Sequence, residues 1–199
     1  MTARVQRDFE FVSGAYIDNE LHMNVYNIEI NFLVDSDSIY EQNVALDRIK
    51  YLFIEKIENA IFINQSETAT IEKIASLGLK HILLPEDPYD QIIGIMLMVK
   101  ISSITEGRLI VSDISIASRM SDGVSYLHSM EENIGPFSAK GWWDDPSPSV
   151  SLKLNKNKKI VKIKEAITNW DDLTLGWELP KKDPMNDVIM VDFECKTDK

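Results

Sequence analysis

The sequence predicts an α+β fold, in which an antiparallel sheet packs on two main helices and a β-rich C-terminal extension follows. Three observations predict it. Strand-like segments of alternating apolar and polar residues open the chain, a long amphipathic pattern follows them, and a later helical segment is apolar around nearly its whole circumference. The chain has 199 residues, 44% of them hydrophobic, and is long enough to bury a core. We divide it into an α+β core domain, residues 1–132, and a Trp-containing β-rich extension packed on that core, residues 133–199.

The first predicted elements are a β-hairpin and a long helix. Two strands meet around Asp18-Asn19-Glu20. The second strand alternates with a period of two, which is typical of a half-buried antiparallel strand. Its apolar face holds Tyr26, Ile28, Ile30, Phe32 and Val34, and its polar face holds Asn27, Glu29 and Asn31. Ser38 and Glu41 form a capping box, which predicts a helix whose apolar stripe continues to about residue 62.

The middle of the chain predicts two further helices. Residues 68–77 form a short amphipathic helix that ends at Gly78, and a brief extended segment follows at residues 80–84. Asp87 is then a good N-cap, Pro88 suits the first helical position, and the helix should continue to about Glu106. Because this helix is apolar on all sides, it is either the central helix of the fold or part of a subunit interface.

After Gly107 the pattern returns to strands. Residues 108–120 should place Ile110, Ile114 and Ile116 on one face, and an Asp122-Gly123 turn leads to a second strand at residues 124–130. Glycines and prolines interrupt regular structure in residues 133–149. The lysine-rich residues 152–164 predict a hairpin with a solvated lysine face, with an anionic partner as the alternative, and a last strand is expected at residues 188–194.

No local motif predicts a catalytic centre, a metal site or a cofactor. The histidines His22, His81 and His128 lie in three separate segments and show no zinc-ligand spacing. Glycine-rich phosphate loops and nucleophile elbows are absent from the sequence, and the single cysteine, Cys195, has no histidine nearby in sequence. We therefore predict no catalytic residues, no metal and no cofactor, and we lean towards a protein that is not an enzyme.

Charge and hydropathy indicate the compartment and the partners. The net charge is −11, and residues 1–145 carry 23 acidic against 11 basic residues. An acidic surface repels phosphate backbones, so no nucleic acid partner is expected. The longest apolar run, residues 92–101, is too short to span a bilayer, and no secretory signal is visible, so we expect no membrane partner and a cytoplasmic location. One cysteine suits a reducing compartment.

The four tryptophans are the residues that most suggest a site. They fall between positions 142 and 177, and the pattern Trp-Asp-Asp occurs twice, which suggests that two loops meet. Indole faces and carboxylates could take a sugar, a cation or the loop of a partner. The alternative, which we favour, is that each indole anchors an irregular segment to the core. The candidate binding surface consists of Trp142, Trp143, Asp144, Asp145, Trp170, Asp171, Asp172 and Trp177.

Two resemblances extend these predictions. The order hairpin, long helix, short helix, hairpin resembles half of the tunnelling fold of pterin and purine-precursor enzymes such as 6-pyruvoyl-tetrahydropterin synthase. That family implies a zinc site with three histidines and a catalytic cysteine, and the present sequence lacks the His-x-His element. Separately, the segments LLPEDPYDQIIGIMLMVKI, SDGVSYLHSMEENIGPF and GWW look like uncharacterised proteins of tailed phages, including phages of marine cyanobacteria, which would place the protein in the host cytoplasm.

The leading functional prediction is a non-enzymatic binding or assembly protein of phage origin. It would act through contacts with a host or viral protein and through self-association as a homo-oligomer. It rests on the lack of catalytic motifs and on a helix too apolar for a surface position. One alternative is a tunnelling-fold-like enzyme or binder of a small molecule of the pterin or purine kind, with a site between subunits. A second alternative is an acidic mimic of nucleic acid that inhibits a host protein.

Overall fold

The computed structural model describes residues 3–129, 131, 133–150 and 169–178, and it confirms the α+β class. The described strands form one mixed sheet of six, in the order β4-β3-β1-β2-β5-β6. The elements in chain order are β1 (Arg4–Ile17), β2 (Glu20–Val34), α1 (Ile39–Tyr51), a π-helical continuation (Leu52–Ile57), β3 (Ile61–Asn64), α2 (Thr68–Ser76), β4 (His81–Leu84), α3 (Asp90–Thr105), β5 (Leu109–Ser118) and β6 (Ser125–Ser129).

Four strands that are neighbours in the sheet, β1, β2, β5 and β6, are antiparallel and form its body. The predicted turn joins β1 to β2, and Asp18 and Asn19 adopt the left-handed conformation that a tight hairpin turn requires, with φ of 53° and 66°. The strands β2, β5 and β6 continue the antiparallel order. The helices lie between β2 and β5 in the chain, so the two hairpins are adjacent in the sheet although they are distant in sequence.

The strand β3 replaces the end of the predicted long helix. The helical segment ends at Ile57, and Asn59 has a φ of 59°, which a continuing helix cannot hold. Residues 60–63 are an uninterrupted buried apolar run, Ala-Ile-Phe-Ile, which packs as a strand parallel to β1. The run is too short to show a period, so the sequence did not separate a helix end from a buried strand.

Helices cover the two faces of the sheet unequally. The main core lies on one face and includes buried residues of α1 and α3. The short helix α2 packs on β3 through Ile61, Ile63 and Ile74, and so belongs to the opposite face, at the β3–β4 end. The rest of that opposite face, over β1, β2, β5 and β6, is not covered by any described helix, and we call it the open face.

The apolar helix α3 is the central helix of the fold. It contacts β5 and β6 on one side and α1 on another, and it also contacts residues 135–138. Within the described residues its own chain therefore covers it, and a subunit interface is not needed to explain its composition. Its predicted cap was wrong: Asp87 accepts a hydrogen bond from Asn64 (2.9 Å), and the helix begins at Asp90 with Tyr89 in the cap position.

A β-bulge in β5 corrects the predicted face of Ile110. Asn31 pairs with Asp113 and Phe32 pairs with Val111, so Ser112 is the extra residue of the bulge. The bulge reverses the alternation, which lets Val111 as well as Ile114 face the core. Ile110 is therefore 40% exposed, on the opposite face from Ile114 and Ile116.

The described parts of the predicted C-terminal extension pack on the core. Phe137, Trp142, Trp143, Val150 and Trp170 are members of the same buried cluster as the sheet and helices. The predicted lysine hairpin at residues 152–164 and the last strand at 188–194 lie outside the described residues, so the division at residue 132 stays a prediction. Among the described helices, none is long and apolar enough to cross a membrane.

Candidate functional site

The open face of the sheet carries a polar centre between apolar ends. Three cross-strand rows form the centre, and they follow from the register of β1, β2, β5 and β6. The rows are Glu10–Asn27–Ala117–Ser125, Asp8–Glu29–Ser115–Leu127 and Gln6–Asn31–Asp113–Ser129. Exposed apolar side chains flank them, with Leu21 and Met23 at the hairpin end and Ile110 at the other. An uncovered sheet face of this composition is where a ligand or partner could bind.

A shallow depression of about 490 Å³, open to solvent and called the cavity below, lies over the first two rows. Its lining consists of Asp8, Phe9, Glu10, Asn27, Ile28, Glu29, Ser115, Ala117 and Ser125. Three of these residues are acidic and none is basic, so the cavity offers hydrogen-bond acceptors and negative charge. Strands hold the lining residues, and side chains on strands are placed more rigidly than those on loops.

The two outer strands of the four-stranded body, β1 and β6, each have backbone groups without a strand partner among the described residues. The edge of β1 is covered from residue 12 onwards: Val12 N–H donates to Glu58 Oε2 (3.2 Å) and Gly14 N–H donates to Ala60 O (2.8 Å). The pairing of β1 with β3 is limited to Gly14–Tyr16, so residues 4–10 have no strand partner on that side among the described residues. The strand β6 is the other edge, and its described pairing is with β5 alone.

The tryptophans of the candidate binding surface are largely buried. Trp142, Trp143 and Trp170 are 3%, 4% and 7% exposed, and Trp177 is partly exposed. Each indole N–H donates within the chain: Trp142 to Leu83 O, Trp143 to Phe137 O and Ala139 O, Trp170 to Pro146 O, and Trp177 to Glu106 Oε1. This geometry is what the anchor interpretation expects, and a binding role for the tryptophans stays a prediction.

The acidic residues of that surface hold turns. Asp144 Oδ1 accepts from Gly141 N–H (2.8 Å) and Asp145 Oδ1 accepts from Ser147 N–H (2.8 Å). In the second turn Asp172 Oδ2 accepts from Asn169 N–H (3.2 Å), and Asp171 O accepts from Thr174 N–H (3.0 Å). The structure brings the two Trp-Asp-Asp turns into contact, since the Trp170 indole donates to Pro146 O at 2.6 Å.

Lys100 fixes the first of these turns and was not identified from the sequence. Its ammonium is fully buried in α3 and donates to Trp142 O (3.0 Å), Asp145 O (2.7 Å) and Ser147 O (2.9 Å). Burial lowers its pKa to about 8, although the nearby Asp145 and Asp144 oppose this shift. The available signal was one charged residue inside an otherwise apolar helix.

Arg48 fixes the second turn, residues 169–178. Its guanidinium lies between the rings of Trp170 and Trp177, with its carbon 4.7 and 3.6 Å from the ring centroids. It donates to Leu175 O (2.9 Å), Ile104 O (3.0 Å) and Glu106 Oε1 (2.7 Å). Burial lowers the pKa of Arg48 and the Glu106 carboxylate opposes this effect, so the guanidinium stays charged at neutral pH.

The histidines lie in three different environments. The His22 ring is 3.9 Å from Glu20, and the His81 ring is 3.1 Å from Leu79 O. His128 is buried against Gly94 of α3. No group of three or more His, Cys, Asp or Glu side chains in the described residues could hold a metal ion.

Comparison with known proteins gives no family for the chain. No protein-family model matches it, and no curated protein matches it. Solved structures with a similar arrangement include an uncharacterized protein from Wolinella succinogenes, with 10% identity and a TM-score of 0.46 over 66% of this chain and 99% of that chain. They also include 6-pyruvoyltetrahydropterin synthase from Plasmodium vivax, with 8% identity and a TM-score of 0.41 over 64% and 97% of the two chains. The Plasmodium falciparum enzyme shows 12% identity and a TM-score of 0.40 over 64% and 96%.

These findings correct the leading functional prediction, a non-enzymatic assembly protein. The similar structures include synthases of the class named as the first alternative, and at TM-scores of 0.40–0.41 this likeness is a loose one of topology only. No comparison shows a resemblance to phage proteins. The structural argument for assembly also fails, because the apolar α3 is covered by its own chain.

Proposed function

We propose that the protein is a small-molecule enzyme or binding protein whose ligand lies on the open face of the sheet. The observation that carries this proposal is the cavity of about 490 Å³ over the polar rows of β1, β2 and β5. The depression is shallow and open to solvent, and its lining combines carboxylate, amide and hydroxyl groups with apolar surface. A cytoplasmic location is part of the same proposal.

The negative charge of the cavity indicates which charge and which hydrogen-bonding groups a ligand should have. Asp8, Glu10 and Glu29 supply acceptors, and the lining has no Lys or Arg to balance them. A neutral or cationic molecule rich in N–H donors is therefore favoured, and a phosphorylated one is disfavoured by repulsion. An amino-substituted heterocycle of the pterin or purine kind satisfies these requirements.

We propose further that a second copy of the chain completes the site. Over the described residues the cavity is open to solvent, and within that same part of the chain residues 4–10 of β1 and the outer side of β6 have no strand partner. An edge strand with free N–H and C=O groups is a template for another strand. Pairing there would extend the sheet and bring a second subunit beside the open face.

Binding can be tested by two-dimensional ¹H–¹⁵N NMR of the full chain with a set of small heterocyclic fragments. We expect shifts that cluster on Asn27, Glu29 and Ser115, and we expect Glu29→Gln to weaken them. Glu72→Gln, an exposed site on α2 with the same change of charge, is the matched control and should leave them unchanged. Fragments that bind only elsewhere, or equal binding in both variants, would refute the open-face site.

Self-association is tested separately by light scattering at micromolar concentration. We expect a homo-oligomer in the wild type. Replacing Gln6 by proline removes one backbone donor from the free edge of β1 and should shift the population towards monomer. A wild-type protein that is strictly monomeric would refute the shared site and leave binding to the single open face to be judged from the NMR experiment.

A further inference from the structure

The free edge of β1 consists of residues 4–10 and has a defined length. On that side these residues have no strand partner in the described part of the chain. The edge ends at residue 12, where Asn59 N–H donates to Val12 O (2.8 Å) and so occupies the position of a further strand. A strand that pairs with this edge is therefore limited to the length of residues 4–10.

The backbone groups of alternate residues point out of this edge. Val12 N–H donates to Glu58 Oε2 (3.2 Å) and Gly14 N–H donates to Ala60 O (2.8 Å), both on the outer side of β1. Because backbone groups alternate along a strand, the even-numbered residues of the free edge point the same way. Their side chains lie on the open face. A partner strand must present its own outward-pointing residues opposite them, which allows only every second register.

The side chains of this edge complement a second copy of the same edge in antiparallel orientation. When Arg7 lies opposite the partner's Arg7, Arg4 lies opposite Glu10 of the partner subunit and Glu10 lies opposite the partner's Arg4. Two opposite-charge pairs then form on the open face, and on the other face Val5 lies opposite the partner's Phe9 in each half. Cross-strand pairs of both kinds stabilise a sheet. The two Arg7 side chains carry like charges, but Arg7 is exposed, so solvent weakens their repulsion.

The neighbouring registers are less favourable. A shift of two residues in one direction places Asp8 opposite the partner's Asp8, so like charges meet at the centre of the pair. A shift of two residues in the other direction centres the pair on Gln6. Since β1 begins at Arg4, Phe9 and Glu10 then lie beyond the start of the partner's strand. Only the register centred on Arg7 pairs the whole edge with itself.

We propose that two copies of the chain join edge to edge in this way, with β1 antiparallel to β1 of the partner subunit and a two-fold axis at Arg7. The inference rests on the proposed function, because it names the surface through which the second copy completes the open-face site. Glu10 lines the cavity, and the described part of the chain places no Lys or Arg in that lining. The partner's Arg4, opposite Glu10, supplies that cation, while Asp8 and Glu29 still offer acceptors to a ligand. The contact uses the same surface on both copies, so it closes as a dimer.

A charge-swap experiment on the full chain tests the two ion pairs, with the dimer measured by light scattering and native mass spectrometry. Arg4→Glu and Glu10→Arg each place like charges opposite one another in both pairs, so each should raise the dissociation constant of the dimer by about tenfold or more. An equal mixture of these two variants restores opposite charges across the contact and should form the heterodimer. Glu72→Lys, which makes the same kind of reversal at an exposed position of α2, is the matched control and should dimerise like the wild type.

Cysteine cross-linking tests the register. The single native cysteine is removed by Cys195→Ser. In that background Arg7→Cys places two thiols opposite each other across the axis, with Cα atoms about 4.5–5.5 Å apart, a spacing that suits a disulfide. Arg4→Cys is the matched control, since its two copies lie about 20 Å apart in this register. We expect a disulfide-linked dimer from Arg7→Cys, with the circular dichroism of the wild type, and none from Arg4→Cys.

The outcomes separate this inference from the proposed function. If the wild type is an oligomer but Arg7→Cys does not cross-link, or if the mixed charge variants do not associate, the β1–β1 contact is refuted while a shared site survives. A disulfide between Arg7→Cys and Leu127→Cys chains would likewise overturn it, in favour of a head-to-tail contact between β1 and β6. A strictly monomeric wild type refutes this contact and the shared site together. A cross-linked dimer whose open face shows no fragment shifts by NMR keeps the contact and refutes the ligand site.

Discussion

Replacing Lys100 by methionine should destabilise the protein by roughly 2 kcal/mol, and this magnitude follows from two opposing contributions. The substitution removes three charge-assisted hydrogen bonds to the carbonyls of Trp142, Asp145 and Ser147. At about 1.5–2 kcal/mol each, their loss costs roughly 5 kcal/mol. The substitution also removes a buried charge, whose desolvation lowers the pKa of Lys100 from 10.5 to about 8 and corresponds to about 3 kcal/mol.

The same residue predicts a dependence of stability on pH. Between about pH 8 and 10.5 the unfolded chain keeps the Lys100 proton while the folded chain has lost it. The unfolded state then binds more protons, so the contribution of this group to the free energy of unfolding rises with pH across that interval. Below about pH 8 the desolvation penalty is fully present. Lys100→Met should lack this rise.

Urea unfolding followed by tryptophan fluorescence and by far-UV circular dichroism measures both effects. All four tryptophans lie between positions 142 and 177, so fluorescence reports on the turns that Lys100 and Arg48 hold. Lys50→Met, at an exposed position of α1, is the matched control and should change stability by less than about 0.5 kcal/mol. A Lys100→Met protein as stable as the wild type at pH 7, or with the same pH dependence from 8 to 10, would refute the reasoning.

Three further substitutions test other contacts. Arg48→Met should cost about 3 kcal/mol in urea unfolding, because it removes the donor to two carbonyls, Ile104 O and Leu175 O, and breaks the ion pair with Glu106, while Arg7→Met at an exposed site should be nearly neutral. Gly94→Ala, which at an open helical site would stabilise, should lower the free energy of unfolding by about 1–3 kcal/mol, since its Cβ would lie 2.8 Å from the His128 ring; a raised melting temperature would contradict this. Trp143→Ala should cost about 3–5 kcal/mol and leave fragment shifts on the open face intact; lost shifts in a folded variant would make this turn part of a binding surface.

The sequence predicted the elements whose pattern repeats over many residues. The period of two in β2 and the Asp18-Asn19 turn gave the first hairpin, and the apolar α3 was recognised as a helix needing cover on several sides. Sequence patterns that were short or purely local gave wrong predictions. The first two residues of β3 were absorbed into the preceding helix, which was predicted to continue to about residue 62. Asp87 satisfied every local rule for an N-cap, but its carboxylate accepts a hydrogen bond from Asn64 instead. Local propensity cannot predict this contact, because Asn64 is the last residue of β3 and is distant from Asp87 in sequence.

The candidate site was harder to predict because it depends on pairing across four strands. The sequence showed Asn27, Glu29 and Asn31 on the polar side of β2, a pattern that any solvated strand shares. Only the strand register shows which residues lie beside them on the open face: Glu29, for example, lies between Asp8 and Ser115. The tryptophans attracted attention as rare residues grouped in sequence. Rarity does not distinguish an indole that packs from one that binds, and three of these four are buried.

The bulge at Ser112 shows that the neighbours of a side chain on a sheet follow from the strand register and cannot be deduced from composition. Strict alternation placed Ile110 with Ile114, and under that assumption Asp113 is an ordinary polar residue on a solvated face. One extra residue changes both conclusions: Ile110 turns outward, and the Ser112 hydroxyl reaches the Asp113 carboxylate that Asn31 holds from the next strand. A single inserted residue is hard to detect in the sequence of a ten-residue strand. The segments before and after it are each too short to show that the alternation has changed. The orientation of Asp113 is therefore a property of the register of the sheet, which composition alone does not predict.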